Sequence, residues 1–313
     1  MRIIISEFMD AAAVAQLQND FDVVYDPALV DKPEELHAAV AEAQALIVRN
    51  RTQVSAQLLA AAPALKVVGR LGVGLDNIDM KACADRDIKV IPATGANSRA
   101  VAEYVIASAM MLLRGGFLSS ADVARGDWPR ARLSEGRECG EKILGLVGFG
   151  GIGRLTASLA QGLGFTVVAY DPGIPGSAPV WAETGVRQLS LDDLLAQAHV
   201  VSLHVPLIES TRNLFDATTL AKMRADAVLV NTARGGIVDE SALADALRAG
   251  RLGGAALDVF EQEPLKIGNA FADVPNLILT PHIAGVTAES NQRVSQMIAD
   301  EVGQSLKGQT LRV

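Results

Sequence analysis

Three segments late in the sequence carry side chains that could move a proton next to a bound carboxylate. Arg234 lies in NTARGG, His282 lies in LTPHIAG, and two glutamates, Glu261 and Glu263, lie in LDVFEQEP. Histidine exchanges protons near neutral pH, and a neighbouring carboxylate would fix its tautomer and favour its charged form. Arginine can hold a substrate carboxylate through two parallel hydrogen bonds. These residue types suit the interconversion of an alcohol and a ketone.

A glycine-rich turn, GFGGIG at 148–153, directly follows the apolar run ILGLV. Between a strand and a helix, Gly148 would permit the tight bend, Gly150 would let a pyrophosphate approach, and Gly153 would let helix and strand pack closely. The phosphates would then lie at the positive end of the helix. Asp171 lies 18 residues after Gly153, where its carboxylate can accept hydrogen bonds from the adenosine ribose. It would repel a 2′-phosphate, and no Arg or Lys occurs in the next ten residues, so NAD is favoured over NADP.

Short apolar runs alternate with helical stretches, and this alternation predicts parallel sheets with helices on both faces. The last six predicted strands give the count of a full dinucleotide-binding domain, with the reactive segments at the ends of its later strands. Between 115 and 141 the chain is too long for an ordinary connection and is expected to pack on something, such as a partner subunit. The predicted strands are 2–6, 45–48, 65–70, 88–92, 142–150, 166–171, 199–206, 226–233, 253–260 and 276–282, and the predicted helices are 10–19, 34–43, 53–61, 97–113, 153–162, 190–197, 216–223, 239–249 and 287–306.

Composition excludes several classes of protein. Half of the 313 residues are hydrophobic and 20% are charged, which argues against disorder, and the net charge of -8 argues against nucleic-acid binding. The first apolar run is too short for a signal peptide, and no run reaches the length of a membrane span, so a soluble cytoplasmic protein is expected. Cys83 and Cys139 are interpreted as reduced thiols. No metal-ligand spacing occurs, and His37, His199 and His204 are given structural roles.

Taken together, GFGGIG, VVAYDP, NTARGGIVDE, LDVFEQEP and LTPHIAG resemble the motifs of the D-2-hydroxyacid dehydrogenase family, in that family's order. With GRLGVGLDNID at 69–79 the resemblance covers nearly the whole chain. It implies that Arg234 binds the substrate carboxylate, that His282 is the general acid/base, and that Glu263 is its carboxylate partner. Glu263 is preferred to Glu261 because the family's glutamate immediately precedes a proline. Two positions depart from the family pattern, Gly151 in the glycine turn and Val73 in the 69–79 segment.

The resemblance also implies an α/β fold of two Rossmann-like domains. A flavodoxin-like substrate-binding domain would span 1–97 and be completed by the C-terminal helix of 286–313, and an NAD-binding domain with a doubly wound parallel sheet would span 98–285. Cofactor contacts carry over to Gly148, Gly150, Gly151, Ile152, Gly153, Asp171, Val205, Thr232, Ala233, Arg234, Asp258, His282 and Gly285. Substrate contacts carry over to the backbone of Leu71, Gly72, Val73 and Gly74 and to Arg234, and Arg49 in the loop VRNRTQV is named as a further substrate contact.

Four arginines in or beside the first-domain segments, Arg49, Arg51, Arg70 and Arg99, would suit a substrate with a second anion at C3, although at least two of them are expected to be ordinary solvated side chains. The segments ISEFMD and VRNRT are similar to those of the sulfolactate dehydrogenases in this family. The sequence therefore predicts an NAD-dependent 2-hydroxyacid dehydrogenase acting on 3-sulfolactate or 3-phosphoglycerate. A glyoxylate/hydroxypyruvate reductase is the alternative, and a non-catalytic NAD(H)-sensing protein is the alternative from another class. A homodimer is expected from the 115–141 segment and from the habit of the family.

Overall fold

The chain forms two α/β units, each built around a parallel sheet, in a computed structural model that describes residues 1–308. The first unit comprises Met1–Asn97 together with the chain from Val286 onward, and the second comprises Ser98–Gly285. Within the described residues the twelve strands are β1 (Arg2–Ile5), β2 (Asp22–Tyr25), β3 (Ala45–Val48), β4 (Val67–Arg70), β5 (Lys89–Pro92), β6 (Ile143–Val147), β7 (Thr166–Tyr170), β8 (Arg187–Gln188), β9 (Val200–Leu203), β10 (Val228–Asn231), β11 (Gly254–Leu257) and β12 (Leu277–Leu279).

Helices connect these strands in both units. Over the same part of the chain the α-helices are α1 (Ala11–Gln18), α2 (Pro33–Val40), α3 (Ala56–Ala60), α4 (Met80–Ala84), α5 (Ser98–Arg114), α6 (Ser120–Ala124), α7 (Arg130–Leu133), α8 (Gly151–Gly162), α9 (Pro179–Thr184), α10 (Leu191–Gln197), α11 (Ala217–Leu220), α12 (Glu240–Arg248) and α13 (Ala288–Leu306). Short 3-10 turns occupy Leu29–Asp31, Gly116–Ser119 and Glu209–Thr211.

The first sheet has five parallel strands in the order β2-β1-β3-β4-β5, which is the flavodoxin-like order. The sequence predicted four strands there and missed β2, whose residues Asp22–Tyr25 pair with Arg2–Ile5 at the edge of the sheet. Asp22 is exposed and the rest of β2 is half-buried. A short edge strand of this kind lacks the continuous apolar run by which a central strand is recognised.

Both faces of the first sheet are covered, because successive strand residues point to opposite sides. Ile3 and Ile5 belong to one core cluster, whereas Ile4 belongs to the other. The last helix, α13, packs with α1 on the Ile3 face and contributes Ile298 and Val302 to that cluster. The C-terminal helix therefore completes the core of the N-terminal sheet.

The second sheet has seven parallel strands in the order β12-β11-β10-β9-β6-β7-β8. The strand order reverses between β6 and β9, and ligands of open α/β sheets bind at the carboxyl ends of the strands at such a switch point. The prediction of six strands was wrong by one, because β8 is a pair of residues, Arg187–Gln188, that adds to the edge beside β7. Two residues are too few for a periodic pattern to reveal.

The long connection before β6 contains two short helices, α6 and α7, and its C-terminal part is tied to the second unit. Arg137 donates its backbone N–H to Leu113 O at 2.8 Å, and its guanidinium pairs with Asp226 at 2.9 Å. Trp128, near the middle of the connection, is 77% exposed.

Among the helices that the structure describes, none combines the length and the apolar composition that crossing a membrane requires.

We expect Gly69→Ala to destabilise the first unit, because an added Cβ would lie 2.8 Å from the γ-methyl groups of both Ile298 and Val302. These β-branched side chains cannot rotate away freely, and overpacking of a core costs about 1–3 kcal/mol. Gly162→Ala is the matched control, since its Cβ meets no described atom within 4 Å at the end of α8. Urea unfolding of both variants checks this, and equal midpoints would contradict the assigned packing of α13.

Candidate active site

Three neighbouring strands of the second sheet deliver the candidate catalytic side chains. Arg234 follows β10, Glu263 follows β11, and His282 follows β12. These strands are adjacent and parallel, so their carboxyl ends lie along one edge of the sheet. The fold thus brings together side chains that are separated by up to 48 positions in the sequence.

His282 and Glu263 form a hydrogen-bonded pair, with 2.7 Å between Nδ1 and Oε2. The other carboxylate oxygen, Oε1, accepts the backbone N–H of Phe260 at 3.0 Å. Burial acts to raise the pKa of Glu263, but these hydrogen bonds and the positive charges nearby outweigh it and hold the pKa below its ordinary value. An ionised Glu263 only accepts hydrogen bonds, so Nδ1 of the ring carries the donated proton and Nε2 is left to exchange one with a ligand.

The alternative glutamate, Glu261, occupies a different environment. The backbone N–H of Glu261 donates to Glu240 Oε1 at 2.7 Å, and Glu261 is exposed. The structure therefore pairs His282 with Glu263, the glutamate directly before the proline.

The backbone of His282 lies in the left-handed region, with φ of 56°. This conformation costs a non-glycine residue about 1–2 kcal/mol, so the surrounding structure must hold it. The buried carboxylate of Asp258 does so: Oδ1 accepts the N–H of Ile283 at 2.8 Å, and Oδ2 accepts the N–H of Ala284 at 2.7 Å. Asp258 is 1% exposed and thus anchors the turn that carries the histidine.

A chain of hydroxyl groups supports the same carboxylate. The Thr280 hydroxyl donates to Asp258 Oδ1 at 2.6 Å, and Tyr104 Oη lies 2.6 Å from the same hydroxyl oxygen. Tyr104 belongs to α5, so the longest helix of the second unit also contacts the histidine turn. Sequence reasoning missed Thr280 and Tyr104, because neither belongs to a local pattern that indicates this contact.

The turn that carries Arg234 depends on Asn231 before it and on Gly235 after it. The buried side chain of Asn231 accepts the N–H of Ala233 and donates to Arg234 O, each at 3.0 Å. A Cβ on Gly235 would lie 1.9 Å from Phe260 O, so glycine is required for the turn to approach the segment after β11. Burial, which raises the pKa of Glu263, and the hydrogen bonds to its carboxylate, which lower it, have the largest effects on that pKa. The positive charge of Arg234 adds a smaller lowering effect.

The glycine turn after β6 has the geometry of a pyrophosphate cradle. Gly148 has φ of 98°, and a Cβ there would lie 2.6 Å from His204 O, while a Cβ on Gly153 would lie 2.5 Å from Gly148 O. At Gly150 and Gly151 an added Cβ would meet no atom of the described chain within 4 Å, which leaves the turn open to a ligand. Helix α8 begins at Gly151, so the N–H groups of its first turn face this opening.

Asp171 lies at the end of β7 and is bonded to that turn. Its Oδ2 accepts the N–H of Phe149 at 2.8 Å, and its Oδ1 accepts the N–H of Gly173 at 2.9 Å. Each carboxylate oxygen retains a further lone pair for a ribose hydroxyl. Thr232 Oγ1, after β10, is buried without a hydrogen-bond partner among the described residues, and a bound ligand would supply one. Both observations fit a dinucleotide at this edge.

The remaining predicted cofactor residues lie at the same edge of the sheet or in the histidine turn. A Cβ on Gly148 would lie 3.1 Å from Val205 Cγ1, which places Val205 beside the glycine turn. Ile152 lies in the first turn of α8, Ala233 lies in the Arg234 turn, and Gly285 follows the segment held by Asp258.

Apart from Arg234, the predicted substrate residues lie at the carboxyl ends of β3 and β4, two neighbouring strands of the first sheet. Arg49 follows β3 directly, and Leu71, Gly72, Val73 and Gly74 follow β4. A Cβ on Gly72 would lie 1.5 Å from Arg70 Nη1, so the Gly72 backbone lies against the end of the flexible Arg70 side chain. Leu71 is buried in the core, which leaves its backbone rather than its side chain for ligand contact.

Of the four arginines predicted near the substrate, Arg99 belongs to the second unit and the other three belong to the first. Arg70 is half-buried, and its Nη1 donates to Leu71 O at 3.1 Å. Arg51 pairs with Asp31, and Arg99 pairs with Glu103 at 2.7 Å, and both arginines are exposed. Arg49 is half-buried, its Nη2 donates to Asn291 Oδ1 at 2.8 Å, and its guanidinium lies 5.7 Å from the ring centre of Phe8.

His204 and His199 have structural contacts. His204 Nε2 lies 3.0 Å from the Ser202 hydroxyl, and burial lowers the pKa of His204 to about 4, so it is neutral. His199 Nδ1 accepts the N–H of Ile143 at 3.1 Å. Within residues 1–308 no group of three or more His, Cys, Asp or Glu is placed to hold a metal ion.

Known proteins are similar to this chain in sequence and in fold. Residues 106–284 match the family model described as D-isomer specific 2-hydroxyacid dehydrogenase, NAD binding domain. The chain is 54% identical over 304 residues to the (S)-sulfolactate dehydrogenase of Chromohalobacter salexigens, with 97% of this chain and 98% of that protein covered. It is 40% identical over 310 residues to the D-3-phosphoglycerate dehydrogenase of Mycobacterium tuberculosis, covering 98% of this chain and 57% of that protein. The crystal structure of D-lactate dehydrogenase from Aquifex aeolicus with NAD and lactic acid matches with a TM-score of 0.84 at 26% identity, over 98% of this chain and 96% of that one.

The fold, the dinucleotide cradle and these matches define an NAD-dependent oxidoreductase that acts on 2-hydroxy acids. The chain belongs to the D-isomer specific 2-hydroxyacid dehydrogenase family. The sequence-based predictions of the family, the fold class and NAD as cofactor are confirmed.

We expect Glu263→Gln to lower kcat by about ten- to a hundredfold, because loss of one hydrogen bond to a charged group costs roughly 1.5–3 kcal/mol. The amide would not stabilise a protonated His282 as the carboxylate does. Glu261→Gln is the matched control and should keep kcat within about twofold, since removing a surface charge has little effect. Steady-state rates of NADH formation check both variants. Equal losses in the two would contradict the pairing of His282 with Glu263.

Proposed function

We propose that this protein transfers a hydride between NAD and a 2-hydroxy acid that carries a second anion at C3, with 3-sulfolactate as the foremost candidate. The observation that carries the proposal is the half-buried guanidinium of Arg49, held at the carboxyl end of β3 beside the predicted carboxylate-binding loop. The likeness to a sulfolactate dehydrogenase over nearly the full length of both chains supports the same substrate.

In the proposed reaction His282 is the general acid/base. Its Nε2 takes the proton of the substrate hydroxyl during oxidation and returns it during reduction, while Glu263 stabilises the positive imidazolium. Arg234 holds the C1 carboxylate and so orients the reacting carbon. Bound NAD supplies the hydride acceptor.

We further propose that the cofactor is held by the residues already predicted from the sequence. The pyrophosphate lies on the glycine turn of Gly148, Gly150, Gly151, Ile152 and Gly153, and Asp171 accepts the ribose hydroxyls. The rest of the dinucleotide lies along Val205, Thr232, Ala233, Arg234, Asp258, His282 and Gly285. The buried, unbonded hydroxyl of Thr232 supports this assignment.

The first unit is proposed to bind the substrate and the second to bind NAD. The backbone of Leu71, Gly72, Val73 and Gly74 is the part of the first unit proposed to bind the C1 carboxylate. Arg49 holds the sulfonate or phosphate at C3. Arg51 and Arg99 are not assigned to the substrate, because each is exposed and already paired with a carboxylate on the surface.

Stereochemistry agrees with an (S)-sulfolactate substrate in a family named for D-isomers. The sulfonated CH2 group outranks the carboxylate in the naming rules, so (S)-3-sulfolactate has the same spatial arrangement as D-lactate. One site can therefore present the same face of C2 in both acids.

Two finer proposals concern assembly and location. The protein is proposed to be a homodimer, with the 115–141 segment at the interface; Trp128 and Val123 on this segment, 77% and 45% exposed, would be buried there. It is proposed to act in the cytoplasm, where its two free cysteines, Cys83 and Cys139, would stay reduced.

We expect wild type to give kcat/KM values for 3-sulfolactate, and then 3-phosphoglycerate, at least about tenfold above those for D-glycerate and D-lactate, since a charged hydrogen bond adds roughly 1.5–3 kcal/mol. Arg49→Gln should abolish this preference. Arg51→Gln, in the same loop and with the same change of charge, should leave it intact. NADH formation with the four acids measures the preference.

Each result separates the candidate functions. Equal rates on lactate and sulfolactate would contradict a second-anion site. High activity on glyoxylate or hydroxypyruvate alone would favour the reductase alternative. Tight NADH binding without turnover of any acid would favour the NAD(H)-sensing alternative.

A further inference from the structure

Glu7, two residues after the end of β1, is a buried carboxylate that is hydrogen-bonded to four consecutive residues of one loop. The residue is 4% exposed, and its two oxygens accept four consecutive backbone N–H groups. Oε1 accepts from Arg49 at 2.8 Å and Thr52 at 3.0 Å. Oε2 accepts from Asn50 at 3.3 Å and Arg51 at 3.1 Å. The loop after β3 is therefore wrapped around one side chain that lies more than forty positions away in the sequence.

The four donors require a carboxylate in particular. Burial acts to raise the pKa of Glu7, but the backbone hydrogen bonds from Thr52, Arg49 and Arg51 outweigh it, and the net pKa lies below its ordinary value. The side chain is thus ionised at neutral pH and accepts at both oxygens. A glutamine in its place would direct an NH2 group at two backbone donors, leaving buried N–H groups unsatisfied.

Asn77 fixes the opposite side of the same loop. Its Nδ2 donates to Arg49 O at 3.3 Å and to Thr52 O at 2.7 Å. The Ser6 and Thr52 hydroxyls, 2.9 Å apart, add a further bond at the end of the loop. Asn77 belongs to the GRLGVGLDNID segment, so the loop after β4 holds the loop after β3 in register.

This arrangement decides how the 49–52 loop can bind an anion. Its N–H groups all point at Glu7, so the loop has side chains rather than backbone to offer a ligand. Arg49 is the side chain whose guanidinium is itself positioned, by Asn291 and by the ring of Phe8. The negative charge of Glu7 also offsets part of the effect of burial, which lowers the pKa of Arg49.

We propose that Glu7 is a specificity-determining positioning residue: its carboxylate holds the 49–52 loop in the one conformation that presents the Arg49 guanidinium to the substrate's second anion. Asn77 completes this support from the carbonyl side. The inference rests on the proposed function, because it assumes that Arg49 contacts the group at C3.

The test compares wild type with Glu7→Gln and Glu7→Asp, using 3-sulfolactate and D-glycerate as the two acids. Glu7→Gln should raise KM for 3-sulfolactate by about tenfold or more, the value of one charged hydrogen bond, with KM for D-glycerate changed less than about threefold. Glu7→Asp keeps the charge with a shorter reach and should lie between wild type and Glu7→Gln. The Kd for NADH should stay constant, because the cofactor residues belong to the second unit.

The selectivity ratio separates positioning from simple destabilisation. A loss that is equal for both acids, or an unchanged ratio in folded Glu7→Gln, would overturn the proposal even if Tm falls. If Glu7→Gln is not recovered as folded protein, Glu7→Asp decides: a ratio about threefold lower, a part of one charged hydrogen bond, supports the proposal, and an unchanged ratio overturns it. A wild type without preference for 3-sulfolactate overturns the proposed function itself, whereas a selective wild type with unaffected Glu7 variants overturns the positioning role alone.

Discussion

A carboxylate removed from water must have its oxygens filled by hydrogen-bond donors, and this protein meets that requirement with backbone N–H groups of its functional loops. Glu7 accepts four of them from the 49–52 loop, and Asp258 accepts two from the turn that carries His282. Asp171 binds the glycine turn in the same way, and Glu263 bonds both His282 and the backbone at Phe260. Each of these acids lies shortly after the end of a strand. The strands position the carboxylates, and the carboxylates hold the loops in place through hydrogen bonds.

This arrangement explains how irregular loops can hold reactive groups in a defined geometry. His282 has a left-handed backbone that is unfavourable for any residue except glycine. The turn keeps this conformation because the buried Asp258 carboxylate needs its N–H groups as donors, and Thr280 and Tyr104 hold that carboxylate in place. The pair of His282 and Glu263 is then oriented before any substrate binds. Preorganised hydrogen bonds of this kind act on the transition state without being rearranged during the reaction. The same device recurs in both units, at the loop proposed to bind the substrate and at the pair proposed to transfer the proton.

Local sequence patterns predicted the parts of the structure that depend on local patterns. The alternation of apolar runs with helical segments predicted both sheets, and the glycine turn and the end-of-strand motifs predicted where Arg234, Glu263 and His282 would lie. The edge strands β2 and β8 were missed because short, partly exposed strands have no continuous apolar run. Glu7 and Asn77 were missed for a different reason, because their hydrogen-bond partners lie tens of positions away in the sequence. Nothing near Glu7 in the sequence indicates which backbone N–H groups it will bond. Local patterns held no physical reason for naming Arg49 rather than Arg51 as the substrate contact, because their difference lies in Asn291 and Asp31, which are distant in the chain.

The hydrogen-bonded pair of His282 and Glu263, built after β12 and β11, is proposed to serve proton transfer during hydride transfer. Stopped-flow measurement of NADH formation in a single turnover tests it most directly, by comparing wild type with His282→Gln while the Kd for NADH is measured in parallel. The single-turnover rate is expected to fall by about 10²–10⁴-fold, the usual contribution of a positioned acid/base, while the Kd changes less than about twofold. A variant that forms NADH as fast as wild type would contradict the account.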